Sequence, residues 1–137
     1  MVHCLFEDQA PEFLPLVHLR PVYDLTCGIL TMREKWERVL PGNHLRFAMR
    51  GELHEYRNRP DRLAENEAAS AEWTWLINGT VFPSAALTLL LQKTPRIPTI
   101  YADGGVVVAA CLRAEELGAV FSGWTLPLPD FSLVPRL

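Results

Sequence analysis

The residues of this chain best suited to chemistry on phosphate or sugar groups are Arg20, Lys35, Asp8, Asp24 and the run Asn78-Gly79-Thr80. Arg20 precedes Pro21, and proline fixes its own φ while pushing the residue before it toward extended geometry. Arg20 is therefore expected on an extended or turn segment, where its guanidinium can grip phosphate oxygens in a bidentate way. Lys35 falls on a helix that Thr31 opens. Thr31-Met-Arg-Glu34 fits a capping box, with a hydroxyl at the start and a glutamate three residues on. A cationic segment followed by a turn at Gly28 and a helix N-terminus describes an anion site. The same residues also describe a loop and a capped amphipathic helix that hold no ligand, with Arg20 paired to Asp24 or Glu34. Lys35 suits either a phosphate or a solvated helix face, and Asp24 suits a cation or a sugar hydroxyl.

Other chemistries find no motif. There is no GxxxxGK[ST] phosphate loop, no GxGxxG, no CxxC, no HExxH and no GxSxG. The four histidines are too scattered for a metal set local in sequence. A net charge of −3 supplies no basic field for nucleic acid. No apolar run approaches the roughly 20 residues that span a bilayer, and His3, Glu7 and Asp8 interrupt any leader-like start. Three cysteines, Cys4, Cys27 and Cys111, sit apart in apolar contexts. They are expected to be buried, unpaired thiols in a reducing compartment, which places the protein in the cytoplasm.

The elements that must position these residues follow from pattern. Val2–Phe6 is a short apolar run ended by two acids, as in a buried parallel strand. A helix from Thr31 to Leu40 stops at Pro41-Gly42, and Leu45–Met49 reads as a second strand. Residues 50–72 are polar with mixed charge, which fits a solvated loop and a short surface helix after Pro60. Trp73–Ile77 is aromatic and β-branched and reads as a third strand. Ser84 caps a helix to about Gln92. Thr99–Ala102 and Val106–Leu112 flank Asp103-Gly104-Gly105 as a hairpin, and Arg113–Phe121 reads as a helix. The alternation implies an α/β domain over residues 1–121: three layers, a mostly parallel sheet, and a terminal hairpin. Ligands of such sheets gather at the carboxyl ends of the strands, where Glu7-Asp8, Arg20 and Asn78-Gly79-Thr80 would lie.

Residues 122–137 form a separate apolar arm with three prolines and only two charges, Asp130 and Arg136. Proline restricts it to extended geometry, and its apolar surface must be covered. It is expected to lie on its own domain or, preferentially, on a second copy of the chain, giving a homodimer.

The opening LFED, the block LPLVHLRPVYDLTCGILTMREKW, the segment LINGTVFPS and the strand VVVAACL together resemble one family. It is the divergent sugar nucleotidyltransferase domain at the N-terminus of bacterial proteins named bifunctional UDP-N-acetylglucosamine diphosphorylase and glucosamine-1-phosphate acetyltransferase. The resemblance covers about residues 2–121. It implies a truncated nucleotide-diphospho-sugar transferase (Rossmann-like) fold without the β-helix domain that usually follows. It also implies a nucleoside triphosphate and a sugar 1-phosphate as substrates, and Mg2+ as cofactor. By that resemblance Arg20 and Lys35 would be catalytic, and Asp8, Asp24, Asn78, Gly79 and Thr80 would hold substrate. The chain departs from the wider superfamily at three points. DQAPEFLPLVHL replaces a glycine-rich loop, Arg20-Pro21 replaces a Pro-Lys pair, and Thr80 stands where a metal-holding aspartate is expected.

Overall fold

The computed structural model describes residues 1–8, 10–40, 45–48, 53 and 70–120. In chain order these form β1 (Val2–Phe6), a small hairpin of β2 (Thr26–Cys27) and β3 (Leu30–Thr31), α1 (Met32–Val39), β4 (Leu45–Phe47) and β5 (Thr74–Asn78). There follow α2 (Ala85–Leu91), β6 (Thr99–Asp103), β7 (Val106–Leu112) and α3 (Ala114–Val120). Five strands make one sheet in the order β4-β1-β5-β7-β6. β1 is parallel to both its neighbours, β7 runs against β5, and β6 runs against β7. Four strands therefore point one way and only β7 is reversed. β1 and β5 are the inner parallel strands, as their apolar runs imply.

The sheet is covered on both faces, which is why its central strands lack polar alternation. Cys4, Phe6, Leu76, Ala110 and Leu112 form one buried cluster with Leu117 and Val120 of α3. Leu5, Trp75, Ile77, Ala109 and Cys111 face the other way and pack with Trp36 of α1 and Leu91 of α2. These are the three expected layers. No described helix is long and apolar enough to cross a membrane.

Local chemistry sets the element ends. Thr31 Oγ1 accepts the Glu34 N–H at 3.1 Å, and Glu34 Oε2 accepts the Thr31 N–H at 2.7 Å, so the capping box at α1 is complete. The bond from the Thr31 backbone N–H holds the Glu34 carboxyl below its usual range. Ser84 Oγ caps α2 by accepting the Leu87 N–H at 3.2 Å. Gly104 and Gly105 both have positive φ, 54° and 84°, which a tight β6–β7 turn requires. β5 begins and ends one residue later than its aromatic pattern suggests, because Asn78 is drawn into the strand as a buried residue. The second strand ends at Phe47, short of the expected Met49, which lies outside the described residues. So do the arm 122–137 and, apart from Leu53 and residues 70–72, the polar stretch 50–72.

One expectation about the cysteines is corrected. Cys4 and Cys111 are buried and form no disulfide, and burial pushes the Cys111 thiol up to about 12, but Cys27 is exposed. It sits on the two-residue strand β2, beside the turn at Gly28, and both residues of that strand are exposed.

His3 carries a pH dependence. Its buried ring donates from Nε2 to the Leu91 carbonyl at 3.0 Å, while Nδ1 is buried without a partner. Desolvation lowers its pKa below 6.5 in the fold. Its contribution to stability is therefore full above about pH 6.5 and is lost as pH falls below that value. Urea midpoints measured from pH 7 down to pH 5 should fall more steeply for the wild type than for His3→Gln. Equal slopes would show that His3 titrates as freely in the fold as out of it.

Candidate active site at the carboxyl ends of β1 and β5

Beyond β1 and β5 the chain opens a cleft of about 460 Å³. Arg20 reaches it from the proline-broken loop, Met32 from the first turn of α1, and Gly79, Thr80 and Phe82 from the turn after β5. Phe13, Leu16 and Leu25 give it a largely apolar wall, and Thr26 and Cys27 of the small hairpin close one side. Arg20 is exposed and is the one charged residue among the described residues that line it.

The walls are tied to the sheet by buried polar groups. Glu7, only 2% exposed, accepts the Val22 N–H at 2.9 Å and so pins the 3-10 turn Val22–Asp24 to the end of β1. Tyr23 of that turn lies against Gly79: a Cβ there would meet Tyr23 Cβ and Cδ1 at 3.0 Å and the Phe6 carbonyl at 3.1 Å. A side chain there would force Tyr23 or the Phe6 carbonyl to give way by a few tenths of an ångström. The Gly79 N–H donates to the same Phe6 carbonyl at 2.9 Å. Burial, with the charge of Glu7 second, pushes the Tyr23 hydroxyl well above 10 and keeps it neutral.

The other residues singled out in the sequence fall outside the cleft wall. Asn78 is fully buried beneath it. Its Nδ2 donates to the Val107 carbonyl at 2.8 Å, and its Oδ1 accepts the Thr80 N–H at 3.0 Å and the Thr80 hydroxyl at 2.8 Å. It shapes the turn that presents Thr80. Asp24 pairs with Arg33 Nε at 2.9 Å, and the Arg33 guanidinium lies 5.2 Å from the Phe47 ring centroid. Arg33 thus braces Asp24 to α1, and Glu34 caps that helix. Lys35 Nζ stands 5.9 Å from the centre of the Phe82 ring, at the rim. Asp8 is half-buried two residues beyond β1. Arg33 had no signal of its own in the sequence, because it needs the fold-back of Asp24, and Glu7 was placed at its strand end without its role as acceptor of the Val22 amide.

Among the described residues no three His, Cys, Asp or Glu side chains gather to hold a metal ion. Thr80 offers a neutral oxygen where magnesium favours carboxylate. The described donors do not fit a protein-held magnesium.

No curated protein and no solved structure matches the chain. Residues 3–124 match the sequence profile of sugar nucleotidyl transferases, a span that includes β1 from its second residue, all of β5 and every described residue of the cleft. The chain belongs to the sugar nucleotidyl transferase family.

Proposed function

We propose that the cleft binds a nucleoside triphosphate and a sugar 1-phosphate and joins them as a nucleotide sugar. A phosphate oxygen of the sugar phosphate attacks the α-phosphorus, the α–β phosphoanhydride bond breaks, and pyrophosphate leaves. The observation that carries this reading is the convergence of Arg20, Gly79 and Thr80 on one cleft at the carboxyl ends of parallel strands. Arg20 would neutralise phosphate charge with a forked pair of donors, and Lys35 would assist from the rim. Gly79 lets backbone approach closely, Thr80 offers its hydroxyl to the sugar, and Asn78 fixes that hydroxyl's position. Asp8 and Asp24 serve the site from behind, through the β1 end and the tie to α1. Magnesium enters this reading as the ion that accompanies the triphosphate. UDP-N-acetylglucosamine is the product that the wider resemblance favours.

A second reading is a non-catalytic module that holds a nucleotide or sugar phosphate, and the neutral Thr80 where a metal-holding aspartate is expected favours it. Magnesium-dependent pyrophosphate release, assayed across nucleotide and sugar-phosphate pairs, separates the two. Release with one pair supports transfer, binding without release supports the module, and neither result with any pair sinks both.

Arg20→Ala is expected to weaken nucleotide or sugar-phosphate binding by about 1.5–3 kcal/mol, as for a lost charge-assisted hydrogen bond. That is roughly tenfold to a hundredfold in Kd. Because Arg20 is exposed, the melting temperature should stay near wild type. Calorimetric titration beside a melting curve checks both. A lower melting temperature with unchanged affinity would make Arg20 a brace of the loop.

A further inference from the structure

The turn after β5 points its hydrogen-bond donors inward. The Gly79 N–H donates to the Phe6 carbonyl at 2.9 Å, and the Val81 N–H donates to the Asn78 carbonyl at 3.0 Å. The Thr80 N–H and the Thr80 hydroxyl both donate to Asn78 Oδ1, at 3.0 and 2.8 Å. Partners with a single role fix these directions. The Val107 carbonyl can only accept from Asn78 Nδ2, and the Thr80 N–H can only donate, so the buried amide has one possible orientation.

A hydroxyl carries one proton and two lone pairs. With its proton held by Asn78, the oxygen of Thr80 has only lone pairs left for a ligand in the cleft that Thr80 lines. Phosphate oxygens are acceptors as well, so the two do not bond. Turns that cradle phosphate do so with backbone N–H groups, and those of Gly79, Thr80 and Val81 are already taken. A magnesium ion also seeks lone pairs, but one neutral oxygen without carboxylates around it is a poor site for that ion.

We propose that this turn is an acceptor edge, which takes a hydroxyl of a sugar ring as donor and turns phosphate away. Thr80 Oγ1 then selects sugars that carry a hydroxyl at one particular carbon. The inference rests on the reading of the cleft as a sugar-phosphate site, and it sets which end of that ligand meets β5. The ring lies on the turn, and the phosphate lies elsewhere in the cleft.

Calorimetric titration of the full-length chain tests this with glucose 1-phosphate and N-acetylglucosamine 1-phosphate. Each is compared with derivatives that carry fluorine in place of one ring hydroxyl, which cannot donate. Fluorine at one carbon should weaken binding to the wild type about fivefold to tenfold, as for a lost neutral hydrogen bond. In Thr80→Val that penalty should vanish, and in Thr80→Ser, which keeps the oxygen, it should return. Inorganic pyrophosphate should bind the wild type and Thr80→Val alike. No fluorine penalty in the wild type, an equal penalty in Thr80→Val, or weaker pyrophosphate binding in that variant would each overturn the inference. Each would leave the cleft a sugar-phosphate site. Amide exchange in the ligand-free chain needs no ligand at all. The amides of Gly79, Thr80 and Val81 should exchange at least about tenfold slower than in an unfolded chain, and unprotected amides would overturn the inference too. Failure of both sugar phosphates to bind the wild type would instead overturn the reading of the cleft, and this inference with it.

Discussion

Trp36→Ala is expected to cost about 3–5 kcal/mol, the range for deleting a fully buried large aromatic side chain. Trp36 has no exposed surface and sits at the centre of the cluster that joins α1 to β1, β4 and β5. An eight-residue helix is too short to stand alone in water, so this packing is what holds α1 in place. Such a loss is a large fraction of a typical total stability of about 5–15 kcal/mol. The indole also donates to the Val81 carbonyl at 3.0 Å, between the cleft residues Thr80 and Phe82. Trp36→Phe should keep most of the packing and lose only about 1 kcal/mol with that bond. Urea unfolding of both variants checks the order, and a loss below about 1.5 kcal/mol for Trp36→Ala would show that α1 is not seated on this residue.

Asn78→Leu is the second large effect, about 2–4 kcal/mol, because it strands the Val107 carbonyl and the Thr80 amide without partners. Volume is nearly kept, so the loss reads out hydrogen bonding and not a cavity. Asn78→Asp adds a diagnostic. The new carboxyl can still accept from Thr80, but it must be protonated to donate to Val107. Burial and that donor role raise its folded pKa above the unfolded value near 3.9. Its contribution is then present below that value and lost as pH rises through the folded pKa. Relative to wild type, Asn78→Asp should be least stable at neutral pH and recover toward pH 4. A flat difference across that range would mean that Asn78 does not donate to Val107.

The parts of this fold that local chemistry decides were legible in the sequence. Thr31 with Glu34, Ser84 before Leu87, and Asp103-Gly104-Gly105 each carry their structural cause within four residues. The inner strands were legible because both faces are covered, which leaves the run VHCLF without polar alternation. The cleft was legible only in part. Arg20, Gly79 and Thr80 announced themselves by type and by position after strands. Phe13, Leu16 and Phe82 did not, since an apolar residue in a proline-broken loop has no period from which to read its exposure. The exposure of Cys27 was missed for a related reason: an apolar context along the chain gives no measure of how exposed a two-residue strand is. The partner of Asp24 is the case most dependent on the fold. Arg33 lies nine residues further on and is brought to it by the first turn of α1.

The place of β1 between β4 and β5 has a consequence for how the chain is made. Cys4 is the register partner of both Arg46 and Leu76, so β1 waits for two strands that follow it by 42 and 72 residues in the chain. Until residue 78 has emerged, VHCLF is an apolar segment with at least one open hydrogen-bonding edge, the kind of surface that recruits a holding chaperone or another nascent chain. Closing it demands pairings between distant segments, which slows the search at any temperature. Yield from a cell should therefore respond more to the pace of synthesis over residues 45–78 than to anything done to the cleft.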